Sequence, residues 1–472
     1  MTTSDLFYLL PFMIIAAAPV ASVLIITLRR SFRIIYGFSL FMFIAAFLSL
    51  FLIMPRTPHS VGTLLVIDSY GILFMGIILA ATIVVTMLSY AYLKNQPGER
   101  EEYFIMLFIA VLGSMVLVVA DHFISFFIGL ETLSISLYVL IAYFRWRDNC
   151  IEAGVKFLVV ASVATAFLLF GMGLIYAEKG TMSFQGLARA AGQPASFSPL
   201  LLAGIVFILT GIGFKLALVP FHMWTPDVYQ GAPVPVTAFI ATVSKGAVLA
   251  VALRLFMVSG GMNSNGLFFA VSVMSVLSMF IGNFLALKQT NLKRLLAYSS
   301  IAHLGYLMIT LLAGTASGTE SAVFYLAAYI ITTLGAFGVI SILSVYDRDA
   351  EDTEDVKGLF WTNPWIATVF TLALLSLAGI PLTAGFMSKF YLVLAGMKSG
   401  LWILVASLII NSAISLYYYL RIIRAMLTPS EANRKPGLSF ISVVAMILIA
   451  SGILFLGVLP SFLMKLISNF TA

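Results

Sequence analysis

Five ionisable residues stand where a strongly apolar chain would be expected to have none: Glu131, Lys215, Lys245, His303 and Lys389, each inside a long hydrophobic run. A charge at the bilayer centre costs about 2.5–3.5 kcal/mol on insertion scales, so such residues need partners, water or a task. Lysine and glutamate suit one task well. Burial lowers a lysine's proton affinity and a nearby carboxylate raises it, so a change in their separation loads or releases a proton. The two groups then titrate as a unit. An arginine would stay charged throughout.

Each residue also has a plainer reading. Glu131, in Gly-Leu-Glu-Thr-Leu-Ser-Ile-Ser beside Ser134 and Ser136, is either the carboxylate that tunes a lysine or half of a structural ion pair. Lys245, in Thr-Val-Ser-Lys-Gly-Ala, is either a proton carrier or a donor to backbone carbonyls of a broken neighbouring helix. His303 follows Ser299 by four residues and Ser300 by three, which puts all three on one helix face. A polar stripe of that kind suits a proton relay, with helix packing as the alternative. His222 lies seven residues beyond Lys215, and a histidine bonded to backbone at an interface is its plainer reading. A fourth lysine, Lys156, is placed about a turn into its run, from where its stem reaches the surface.

Two prolines mark where these charges are accommodated. Pro220 follows Lys215 by five residues, lacks an N–H and clashes with the carbonyl of Leu216. Pro226, Pro233 and Pro235 are expected to keep the next stretch non-helical. Pro381, flanked by Gly379 and Gly385, repeats the pattern ahead of Lys389. Broken backbone at membrane depth survives only inside protein or along a hydrated cavity.

The elements that carry these residues are membrane spans. The chain is 61% hydrophobic and 10% charged, with a mean hydropathy of +1.08, which excludes a soluble globular protein. Fourteen apolar segments are long enough to cross a bilayer: 6–28, 34–54, 70–92, 103–120, 123–144, 153–176, 200–222, 234–258, 266–286, 294–313, 321–345, 364–394, 401–427 and 438–460. The Leu6–Leu28 run has no basic residue before it and Arg29, Arg30 and Arg33 after it, so it reads as a retained span rather than a cleaved leader. Loops after odd-numbered spans carry sixteen of the 26 lysines and arginines, among them Lys293, Arg294, Arg434 and Lys435. Loops after even-numbered spans and the tail carry six, and four lysines lie within spans. Positive loops stay cytoplasmic, so both termini are expected outside. The basic residues are scattered over short loops, which is no nucleic-acid signal. The single Cys150, placed in a loop beside Arg147, excludes an internal disulfide and a cysteine-ligated cluster. No Gly-rich phosphate loop or histidine pair with metal spacing is present. The most acidic loop is Asp347–Asp355.

The two breaks fall in spans 7 and 12. An offset of five spans reverses direction, so spans 4–8 (103–258) and 9–13 (266–427) read as inverted repeats, flanked by 1–92 and 438–472.

Three stretches resemble a known family. They are Phe-Lys-Leu-Ala-Leu-Val-Pro-Phe-His-Met-Trp-Thr-Pro-Asp-Val-Tyr-Gln-Gly-Ala-Pro, then Gln289 to Tyr306, then Leu377 to Tyr391. Together they are similar to the antiporter-like subunits of the proton-pumping NADH:quinone oxidoreductase, respiratory complex I. The Trp-Thr-Pro-Asp-Val-Tyr form matches the subunit N branch rather than its sisters L and M. The resemblance spans about residues 100–425 and implies an all-α, fourteen-helix antiporter-like fold with broken helices 7 and 12. It implies that Glu131, Lys215, Lys245 and Lys389 lie on a proton path and that His303 relays. It further implies that this subunit of a translocating enzyme holds no flavin, iron–sulfur or quinone cofactor. The implied partners are membrane subunits of the M, K, A and J types within a bacterial inner membrane. Two other readings stay open: a subunit of a multi-subunit sodium/proton antiporter, and a solitary solute transporter.

Overall fold

The computed structural model describes residues 3–94, 96–191, 198–258, 265–344, 348–429 and 439–471. Asp347, Arg434 and Lys435 lie outside the described residues. Each of the fourteen apolar runs becomes a helix or a broken pair of helices. Among the described residues, twelve helices are long and apolar enough to cross a membrane, while Glu102–Val118 and Pro364–Ala378 are apolar but shorter. Helix starts follow local chemistry. Ser198 and Asn291 accept the backbone N–H three residues on, at 3.1 and 3.0 Å, as do Thr315 and Ser439.

Three helices form the centre: Val234–Met257, Leu292–Ala313 and Ala316–Leu343, whose most apolar windows are 94, 100 and 89% buried against 28% for Leu10–Leu28. Neither lipid nor solvent reaches most of their polar side chains, which must therefore be satisfied within the protein. Neighbouring helices close on one another through small residues. A Cβ on Gly113 would stand 2.5 Å from the Leu133 nitrogen, and one on Gly282 would stand 2.8 Å from the Ala302 nitrogen. Only glycine allows these backbones so close.

The structure departs from the sequence reading at several points. The stretch after Pro220 is helical, not irregular: Trp224–Gly231 and Val234–Phe239 are both helices. Pro226 and Pro235 lie in their first turns, where the missing N–H has no intrahelical partner to lose. Cys150 is in the first turn of helix Asp148–Lys179 rather than in a loop, and its buried thiol donates to the Gly231 carbonyl at 3.0 Å. That helix begins earlier than expected, so Lys156 lies deeper along it. Its ammonium still reaches the surface, pairing with Glu152 at 2.7 Å and Asp227 at 3.2 Å. Lys293, counted as a loop residue, is fully buried. Arg254, counted with the outer loops, lies inside helix Lys245–Val258. A short antiparallel hairpin, His59–Val61 with Leu65–Ile67, was not expected.

Candidate functional site

The first break begins at Ala217, which adopts φ +60° and closes helix Pro199–Leu216. The groups released there find partners. The Trp224 indole donates to the Phe214 carbonyl at 3.0 Å, and the Val219 N–H donates to Ser278 Oγ at 2.9 Å. Lys215 occupies the last turn of this half-helix, where the macrodipole favours a cation. Its Nζ donates to Ser134 Oγ at 2.6 Å and lies 5.7 and 5.9 Å from the Phe157 and Phe214 ring centres.

Glu131 is on the same helix as Ser134, one turn away, and Thr165 Oγ1 donates to its Oε1 at 2.7 Å. Among the described residues no ion pair within 4.0 Å joins Glu131 to a base. The structural ion-pair reading therefore fails. The carboxylate and the lysine are held separately, each by a hydroxyl, because Ser134 rather than Glu131 occupies the contact position on Phe123–Ile141.

Lys245 follows a π-helical turn, Ile240–Ser244. Such turns widen a helix by one residue and re-aim side chains. Lys245 Nζ donates to Ser300 Oγ at 2.7 Å, not to carbonyls of the broken helix, and lies 5.4 Å from the Tyr229 ring centre. Tyr329 donates to the same Ser300 oxygen at 2.7 Å. One turn further along the central helix Leu292–Ala313, His303 Nδ1 shares a 2.6 Å hydrogen bond with Tyr325 Oη. Its ring lies 5.4 Å from that of Tyr329 and 5.5 Å from that of Tyr306. Ser299 bonds Tyr419. Every polar member of the predicted stripe thus has a partner from another helix.

At the second break the lysine follows the interruption instead of preceding it. Helix Pro364–Ala378 ends at Gly379, φ +87°, and the chain resumes as Ala384–Lys398. Lys389 belongs to the second half and folds back onto the end of the first. Its Nζ donates to Leu377 O at 3.0 Å, Ala378 O at 2.8 Å and Ser412 Oγ at 2.8 Å. These supply one acceptor for each ammonium hydrogen and satisfy carbonyls the broken helix leaves open. Glycine is required twice. A Cβ on Gly379 would meet Lys389 Cδ at 2.9 Å, and one on Gly385 would meet the Ser376 carbonyl oxygen at 1.7 Å.

Lys245, His303 and Lys389 therefore gather around the central helix, with Tyr306 between the last two; Lys389 Nζ is 5.6 Å from its ring centre. Lys215 makes no direct contact with this group. No hydrogen bond or ring contact among the described residues links it to Lys245.

Two charge clusters were missed. Asp349, in the acidic loop, accepts from Tyr92 Oη at 2.7 Å, Arg147 Nη1 at 3.0 Å and Lys293 Nζ at 2.7 Å. Burial alone would raise its carboxyl, but Lys293 and Arg147 outweigh burial and hold it below the usual carboxylate range. Lys293 also donates to Ala232 O at 2.7 Å, which fixes the joint between the broken helix and the helix of Lys245. Elsewhere, Arg254 grips Asp68 with two bonds of 2.8 and 2.7 Å and donates to Val118 O at 3.2 Å. A strict count of every charge within a span would have exposed Arg254. Nothing local marks Lys293, because a lysine beside Arg294 at a helix start ordinarily faces water.

An all-α membrane bundle with two broken helices, each bearing a buried lysine, defines the antiporter-like class of membrane subunit. The chain belongs to the family described as NADH:quinone oxidoreductase/Mrp antiporter, TM, which it matches over residues 120–415. It is 45% identical over 462 residues to NADH-quinone oxidoreductase subunit N of Methylococcus capsulatus, covering 96% of this chain and 94% of that protein. The protein of the same name from Ectopseudomonas mendocina is 41% identical over 485 residues, covering 99 and 97%. A chain in the structure of respiratory complex I from Thermus thermophilus with bound aureothin superposes with a TM-score of 0.84 at 31% identity, covering 96 and 98%. A chain of the Mrp complex from Dietzia shares the fold, with a TM-score of 0.88 at 18% identity over 100 and 97%.

Proposed function

We propose that this chain is the proton-translocating subunit N of an NADH:quinone oxidoreductase. The observation that carries this reading is the buried row Lys245–Ser300–Tyr329–His303, in which two titratable groups are joined by hydroxyl and ring contacts on helices shielded from lipid. Near-full-length relatives carrying the subunit N name support it over the sodium/proton antiporter reading. Electrons move in other subunits, and this one holds no redox cofactor. Glu131 and Lys215 form the loading pair, Lys245 and His303 relay, and Lys389 ends the path. The partners are other membrane subunits of the M, K, A and J types. The setting is the bacterial inner membrane, with both termini outside and the two breaks related by inverted repeats.

Moving one proton against 100 mV needs about 2.3 kcal/mol. The approach of one unit charge to about 4 Å supplies about 4 kcal/mol at an effective dielectric of about 20. Local charge movement is therefore sufficient without domain motion. The test is proton pumping in vesicles by Lys215→Ala and Lys215→Arg complexes. Both are expected to assemble and to pump poorly, the arginine because it cannot release its proton. Normal pumping by Lys215→Arg would overturn the switching role.

A further inference from the structure

Asn283 is fully buried, although its helix, Asn265–Leu287, is peripheral and largely apolar. An amide there costs stability unless it is bonded, and an apolar residue would have avoided that cost. The amide is instead thoroughly used. Its Nδ2 lies within bonding distance of Met279 O at 2.9 Å, Asn411 Oδ1 at 3.1 Å and Tyr306 Oη at 3.2 Å, and its Oδ1 accepts from Tyr418 Oη at 2.9 Å. Asn411, also fully buried, is oriented by its own bond to Ser407 O at 2.9 Å. The functional reading above gives this group no role.

The group converges on Tyr306. That ring lies edge-on to His303 at 5.5 Å and under Lys389 Nζ at 5.6 Å. Its hydroxyl end is anchored by Asn283, and its backbone is pinned where Ser275 Oγ donates to Gly305 O at 2.8 Å. The contact between these helices leaves no slack, since a Cβ on Gly305 would stand 3.0 Å from the Met279 nitrogen.

We infer that Tyr306 is a gate between His303 and Lys389, held in place by Asn283 as a positioning residue. A proton passing between the two leaves one nitrogen and arrives on the other through water admitted beside the ring; no bond to Tyr306 forms or breaks. The aromatic face stabilises the Lys389 ammonium while the ring blocks water from the direct line. Freeing the ring from its anchor opens the line at the wrong moment.

This inference rests on the path reading proposed above. The test compares Asn283→Leu, Tyr306→Phe and their double variant as assembled complexes in proteoliposomes. Tyr306→Phe keeps the ring and loses only the anchor, so it serves if Asn283→Leu does not assemble. The measurements are NADH:quinone turnover, protons moved per NADH, and passive proton leak under an imposed potential. The expected result is a proton ratio lowered at least twofold, a raised leak, and a double variant no worse than either single. An unchanged ratio and leak in assembled Tyr306→Phe overturns the gate, as do additive effects in the double variant. Lys389→Ala separates the two levels. If it pumps normally, the path reading fails and the gate with it; if it is impaired while the anchor variants are normal, only the gate fails.

Discussion

Replacing Asp349 with asparagine keeps the shape of the loop and removes one charge. In the native protein that carboxylate receives three donors, and Lys293, its partner at 2.7 Å, has no solvent exposure. The variant leaves the Lys293 ammonium buried without a counter-charge, with the Ala232 carbonyl and a single amide oxygen, shared with Tyr92 and Arg147, as neutral acceptors. Breaking a buried pair on one side costs about 3–5 kcal/mol, which corresponds to between two and four powers of ten in the folding equilibrium at about 1.4 kcal/mol each. Exchanging a buried pair for apolar residues of similar volume is often neutral, so Asp349→Leu with Lys293→Met is expected to recover part of the loss, the remainder falling on Arg147, which keeps Tyr92 but loses its carboxylate. The pH dependence follows from the lowered Asp349 carboxyl. A group with a depressed folded value contributes stability above its unfolded value, about 3.9, and loses it as pH falls through the folded value. The deficit of Asp349→Asn is therefore flat between about pH 5 and 8 and shrinks below about pH 4. Thermal and denaturant unfolding of the detergent-purified complex, at neutral and acid pH, measures this. A deficit under about 1 kcal/mol at neutral pH, or a double variant no more stable than the single, would refute the reasoning.

Glu131→Gln keeps an acceptor for Thr165, so assembly is expected to be normal while pumping falls, and Glu131→Asp is expected to be milder; pumping assays on assembled complexes decide, and a fully active glutamine variant removes the carboxylate from the mechanism. Gly385→Ala drives a methyl into the Ser376 carbonyl oxygen, so the second break cannot close, and immunoblots of membranes are expected to show little assembled complex. The purified single chain is expected to show no flavin, haem or iron–sulfur absorbance, and a chromophore that tracks with it through purification would contradict that expectation.

The sequence by itself determined the class of molecule and the identity of the charged residues. Fourteen apolar runs, two prolines with their glycines, and lysines stranded in hydrophobic stretches are local facts, and the membrane makes them decisive because it penalises any unsatisfied polar group. The serine–histidine stripe of the central helix was legible for the same reason, from a 3.6-residue period alone. What each charge touches was not legible. Lys215 meets Ser134 across 81 residues and Lys245 meets Ser300 across 55, and nothing in a helix sequence says which neighbour will face it. Which prolines break a helix and which merely begin one depended on where the turns fell, as Pro226 and Pro235 show. Lys293 and Asn283 looked unremarkable as letters, and only packing made them buried. Burial is a property of the surrounding helices, so tertiary structure decided that Asp349 anchors the joint at Ala232 through Lys293 and that Lys215, Lys245 and Lys389 each meet a serine hydroxyl.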